Sequence, residues 1–309
     1  MTLRRGSPSR PDGSLYVTDN SKIRKITVDG TVSTLAGTGQ SVGIVNGDCA
    51  SAIFSVPMGI TVDATGNIYV ADTGNNAIRQ ITVTPTSCQV STLAGNGTAG
   101  SADGKTTAAT FYQPEYLTLD ASGNLYVTDT INNKIRMVTT LDGNVSTVAG
   151  NGTAGNTNGG TNANFTKPTG ISVDETTGAL YVAEYDDIRE IAKGAVSTLA
   201  GSPYNPTVSS CTLTDGLGTN AIFCRPYGMA IDGYGNLYVA DSYNNAVRKV
   251  SITGNVTTIA GTGEAGADDG PGNTATFYQP RDIAIEKSGV VYVTEPFGHR
   301  IRMLTPSTP

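Results

Sequence analysis

Residues 123–138 read GNLYVTDTINNKIRMV, and the chain spells nearly this phrase six times. An apolar run leads to an acid, then in most copies an Asn-Asn pair, then an arginine followed by apolar residues. A catalytic motif needs one copy. Six copies mark architecture, and function is to be sought where the copies differ. The tyrosine of the phrase recurs at Tyr16, Tyr69, Tyr126, Tyr181, Tyr238 and Tyr292, at steps of 53 to 57 residues.

Around each tyrosine lie four short apolar segments. In the second unit they are MGITVD (58–63), NIYVAD (67–72), AIRQITV (77–83) and VSTLAG (90–95). All have strand length and are separated by turn residues. Asp63-Ala-Thr-Gly66-Asn67 and its counterparts from Asp120 and Asp232 place glycine where a tight hairpin needs positive φ. Four antiparallel strands per unit, repeated six times, predict an all-β, six-bladed β-propeller.

The copies GNIYVADTGNNAIRQI (66–81) and GNLYVADSYNNAVRKV (235–250) resemble the NHL repeat, whose propellers usually have six blades. The resemblance runs from about Gly13 to Leu304. It implies one propeller over 13–305, blades of mostly four antiparallel strands, an irregular segment at 1–12 and a tail at 306–309. It does not imply one activity, since this family serves many functions.

Composition agrees. Of 309 residues 38 are glycine, 15% are charged and none is tryptophan. The formal charge is −6 and the pI near 4.8, which argues against nucleic-acid binding by phosphate neutralisation. No apolar run is long enough for a membrane helix, and the first residues carry no apolar leader segment.

Each unit pairs one acid with one arginine: Asp19 with Arg24, Asp72 with Arg79, Asp129 with Arg136, Glu184 with Arg189, Asp241 with Arg248 and Glu295 with Arg302. A hairpin joins the two, so all twelve charges are expected to form structural ion pairs. The Asn-Asn residues tolerate left-handed backbone and suit that hairpin. The acid-to-arginine spacing is five residues in units 1 and 4 and seven elsewhere, so two hairpins should be shorter.

The seam looks damaged. Aligning Gly6 with Gly59 sets Ser-Pro-Ser-Arg where an apolar strand belongs, and Pro8 cannot donate to a ladder. The inner strand of blade 1 should therefore be weak or missing, and the start is expected to derive from a mis-started or frame-shifted reading of a longer gene. No sixth copy of VSTLAG follows Leu304, so blade 6 should lack its outer strand.

The blade-to-blade connections 37–57, 95–114, 150–168, 201–226 and 261–280 share an Asp-Gly-like step and a later phenylalanine, expected as a turn and a core plug. After the closing proline the repeat prefers x-Gly, as at Met58-Gly59, Thr169-Gly170 and Tyr227-Gly228. Glu115-Tyr116 and Arg281-Asp282 replace it in units 3 and 6. Large polar residues replacing glycine at a channel mouth are ligand-site candidates. The longest connection, 201–226, adds Tyr204 and leads into Tyr227. The candidate set is Glu115, Tyr116, Tyr204, Tyr227, Arg281 and Asp282.

Of four cysteines, Cys211 and Cys224 bracket one loop and are expected to pair, whereas Cys49 and Cys88 are expected near opposite ends of blade 2 and unpaired. One histidine, His299, cannot supply a histidine-rich zinc site, and a surface role is expected for it. No catalytic residue stands out. The reading is a non-catalytic binding or scaffold propeller, monomeric and secreted or periplasmic. It would recognise a protein, peptide or glycan on the face bearing the blade-to-blade loops, with no nucleic acid, membrane span or cofactor. The alternative is a metal-assisted lactonase-like hydrolase or lyase with one divalent cation at the channel mouth.

Overall fold

The period-2 alternation of the repeat becomes strand throughout. The computed structural model describes residues 2–5, 13–202 and 211–306. It is all-β, with six antiparallel sheets that follow one another along the chain, the architecture of a six-bladed β-propeller. The chain divides into two compact units, Met1–Gly152 and Thr153–Pro309, each holding three sheets.

In every sheet the strand next to the inner edge strand carries the repeated tyrosine: Leu15–Asp19, Ile68–Asp72, Asn124–Asp129, Leu180–Glu184, Leu237–Asp241 and Val291–Glu295. The turns before these strands close as the composition demands. Asp63 Oδ1 accepts the backbone N–H of Thr65 at 2.9 Å and of Asn67 at 2.8 Å, and Gly66 sits at φ 90°. The Tyr69 hydroxyl donates to the same carboxylate at 3.1 Å.

Within each unit the core lies between successive sheets. Phe54, Phe111, Phe223 and Phe277, each from a different connection, are buried there with the strand Ile, Val and Leu side chains, and Phe165 is buried as well. The glycine of each x-Gly pair permits close approach of neighbouring inner strands. A Cβ on Gly59 would stand 2.7 Å from Tyr116 Cα, and one on Gly228 would stand 2.6 Å from Asp282 Cα.

The expected fold class holds, and the structure adds detail to it and corrects two local expectations. Strands per sheet number four, five, five, four, five and three among the described residues. The extra strand in the second, third and fifth sheets is the Asp-Gly-like step itself. Gly47–Asp48, Gly104–Lys105 and Gly216–Leu217 pair with the outer strands instead of merely turning. In the first sheet the inner strand is present as Thr2–Arg5, antiparallel to Leu15–Asp19. Its residues lie upstream of the Pro8 segment with which it had been aligned, and Pro8 is outside the described residues.

Cys49 and Cys88 form a disulfide, contrary to expectation. The reason is the added strand: Gly47–Asp48 lies along Gln89–Val90, and the Cys49 N–H donates to the Cys88 carbonyl at 3.0 Å. Their Cα atoms are thereby 5.4 Å apart. Cys211 and Cys224 form the second disulfide.

Candidate functional site

Most of the repeated charges are enclosed in a hydrogen-bonded module. Arg79 Nη1 donates to Asp72 Oδ2 at 2.7 Å and to the Ile53 carbonyl at 3.0 Å. Nη2 donates to the Val45 carbonyl at 2.9 Å and to Asn46 Oδ1 at 2.8 Å. The Phe54 ring lies 5.1 Å from the guanidinium carbon. The strand register shifts between Ile78 and Arg79, and this bulge turns the arginine into the connection.

The module recurs. Arg136 joins Asp129, Asp103 and Phe111; Arg189 joins Glu184, Asn158 and Phe165; Arg248 joins Asp241, Asp215 and Phe223; Arg302 joins Glu295, Asp269 and Phe277. The connection's Asx and phenylalanine, read from sequence as turn and plug, are thus both partners of the arginine. In the first sheet Arg24 reaches Asp19 at 3.3 Å, but the pair is partly exposed and has no ring beside it among the described residues.

The Asn-Asn pair divides its labour. Asn75 Nδ2 donates to Asp72 at 2.9 Å, while Asn76 takes the left-handed conformation at φ 47°. Burial raises the carboxyl pKa of Asp72 and Asp129, and that of Asp241 to about 6, although the paired arginine pulls the other way in each.

The fourth sheet breaks the pattern. Its shortened hairpin sets Asp187 directly opposite Glu184, at the position held by Ala77 in the second sheet. Both side chains are buried. Asn156 Nδ2 donates to Asp187 Oδ2 at 2.7 Å and to Glu184 Oε1 at 3.2 Å. Arg189 is ion-paired with Glu184 and acts on Asp187 only through its field. Burial, then the neighbouring Asp187 charge, raises Glu184 to about 8, and burial raises Asp187 to about 7.

The sequence-derived candidates scatter. Glu115 is half-buried and Tyr116 buried, both in the first unit. In the second unit Asp282 is buried, because it packs against Gly228, and its backbone N–H donates to Thr294 Oγ1 at 3.0 Å. Tyr116 and Asp282 were expected at an open mouth, and close strand packing encloses them instead. Tyr227 and Arg281 do come together, with the guanidinium carbon 3.5 Å from the ring centroid. Tyr204 lies outside the described residues. His299 is exposed in its hairpin at φ 50°. Among the described residues no three His, Cys, Asp or Glu side chains cluster as metal ligands.

The second unit also gathers side chains that sequence reading missed. Arg225 is exposed, and its guanidinium carbon lies 5.0 Å from the centroids of both Tyr185 and Tyr243. Nη2 donates to the Tyr185 hydroxyl at 3.0 Å. The backbone N–H of Arg225 donates to the Tyr185 carbonyl at 3.0 Å and that of Tyr243 to the Cys224 carbonyl at 3.0 Å, which fixes the geometry. Tyr227 lies within electrostatic reach of the same guanidinium.

The overlooked signal sits two residues before the x-Gly pair, just ahead of the proline. The residue before each proline takes a left-handed conformation, and the repeat fills it with Val56, Gln113, Lys167, Arg225 and Gln279. Identical backbone with changing side chains marks a place where copies differ in chemistry.

Comparison with known proteins agrees with this architecture. The NHL repeat model matches residues 54–81 and 223–250. The chain is 32% identical over 282 residues to the Arabidopsis thaliana protein SUPPRESSOR OF QUENCHING 1, chloroplastic, covering 87% of this chain and 26% of that protein. It is 30% identical over 305 residues to NHL repeat-containing protein 2 of Bos taurus, covering 86% and 41%. The chain therefore spans roughly a quarter to two fifths of these relatives. A solved structure of an auxiliary nutrient binding protein from Bacteroides ovatus superposes with a TM-score of 0.71 at 18% identity, over 99% of this chain and 69% of that one. Six repeat-bearing sheets, the matched repeats and these relatives together make the chain a member of the NHL-repeat β-propeller family.

Proposed function

We propose that the chain is a binding or scaffold propeller that recognises its ligand at the end of the sheets bearing the connections and the acid-to-arginine hairpins. The observation that carries this reading is the contrast between two sets of arginines. The repeated arginines of the second unit are enclosed by acid, Asx and phenylalanine. Arg225 instead is exposed among Tyr185 and Tyr243, two hairpin residues at that end. Tyrosine and arginine are the residue types that dominate recognition surfaces, since each presents a large, preorganised contact. Two disulfides support an oxidising, extracytoplasmic location.

The test is a screen of the purified chain on glycan and peptide arrays, repeated with Tyr243→Ala, with Arg225→Gln, and with Tyr234→Ala. Tyr234 is 88% exposed in the Asp232–Gly235 turn before its strand. The first two substitutions should weaken binding at least tenfold and the third should not. Loss of binding on Tyr234→Ala alone would move recognition elsewhere.

A further inference from the structure

The geometry points to a carboxylate-bearing sugar as the ligand of the Arg225 cluster: the site takes a uronic-acid residue, its carboxylate on the Arg225 fork and its ring face on tyrosine. This inference rests on the proposed binding role and adds the chemical class. A guanidinium carries five N–H donors in one plane. The side-chain donors of Arg225 meet a single acceptor among the described residues, the Tyr185 hydroxyl, and Asp186 acts on the guanidinium through its field without forming an ion pair with it there. Its flanks face the rings of Tyr185 and Tyr243, so the planar edge is the part left to a ligand. A planar carboxylate matches that edge with two parallel hydrogen bonds.

The aromatic surroundings select among carboxylates. Tyr243 is 44% exposed beside the cation, held by its backbone bond to Cys224. Next to it Tyr227 carries the Arg281 guanidinium. A pyranose offers a flat C–H face to such rings. A peptide carboxylate would gain main-chain pairing only if backbone groups were available. The N–H groups of Arg225 and Tyr243 are already bonded to the Tyr185 and Cys224 carbonyls. The fork and the ring face remain, and a sugar acid needs no more than these. The formal charge of −6 opposes long polyanions, so the site suits short chains or chain ends and should be sensitive to salt.

Isothermal titration with a short oligogalacturonate, its carboxyl-reduced neutral counterpart, and an acidic peptide of equal charge tests the assignment. The oligogalacturonate should bind saturably, the neutral sugar at least tenfold more weakly, and the peptide more weakly still. Arg225→Lys keeps the charge but loses the fork and should cost about tenfold. Tyr243→Ala should weaken the acidic sugar alike, with the thermal midpoint of either variant unchanged. Absence of saturable oligogalacturonate binding, or binding indifferent to Arg225→Lys, overturns the inference. If the peptide binds tightly and Tyr243→Ala abolishes it, the sugar assignment falls while recognition at this end stands. If a ligand found on the arrays binds and neither substitution affects it, both fall.

Discussion

Asp187 faces Glu184 across a two-residue hairpin turn, and Asn156 Nδ2 bonds both carboxylates at once. Around them stand Arg189 as the enclosed cation, Asp186 as a further acid, and Arg225, which acts on Asp186. Both acids bind protons more tightly folded than unfolded. The stability they confer is complete below about pH 4, where the unfolded chain is protonated too, and is lost as pH rises through 7 to 8. Urea unfolding at pH 5 and pH 8.5 should show a drop on the order of 3 kcal/mol. Asp187→Asn should remove much of that drop and leave the protein more stable than the parent at the higher pH. An equal drop in parent and variant would show that the pair does not carry it.

The arginine modules should differ sharply in energetic weight. Arg79→Ala strands buried Asp72 and two carbonyls and should cost about 3–5 kcal/mol. Arg24→Ala breaks a partly exposed pair and should cost no more than about 1 kcal/mol. Denaturant midpoints of the two variants decide this. Equal costs would mean that burial is not what gives the pair its weight.

No free cysteine is present, so thiol titration of unfolded, unreduced protein should find none. In the chain-entropy model the Cys49–Cys88 bridge, closing 39 residues, stabilises by about 1 kcal/mol more than Cys211–Cys224, closing 13. Comparing the double-serine variant of each pair measures that difference. A larger loss from the shorter loop would contradict the loop-length argument.

The x-Gly glycines should be intolerant for a steric reason. A Cβ on Gly228 meets Asp282, so Gly228→Ala should destabilise by about 1–3 kcal/mol. Gly233 has nothing within 4 Å of the same atom, and Gly233→Ala should be near neutral. Thermal melts of both separate close packing from the general effect of adding a methyl group.

The fold was legible because a strand repeat writes itself locally. Alternation, turn glycines and a fixed period need no long-range information, so the sheets, the tyrosine positions and the acid-arginine pairing can all be read along the chain. The candidate site was legible only in part. Tyr227 and Arg281 were singled out and do stack. Tyr116 and Asp282 were singled out by the same argument and are buried, because the sequence pattern cannot say how closely one inner strand approaches the next.

What the sequence by itself determined is the repeat and, through it, the class of fold. Tertiary structure decided which residues meet across connections of 17 or more residues. It put Asn46 and Phe54 on Arg79, Cys49 on Cys88, and Asn156 between Glu184 and Asp187. It also brought Tyr185 and Tyr243 to Arg225, although 40 and 18 residues separate them from it in the chain. Local hydrogen bonding and hydrophobic alternation act over a few residues and are written in order. The path of a long connection is set by the bonds it finds on sheets formed elsewhere, and those partners are not neighbours in the chain.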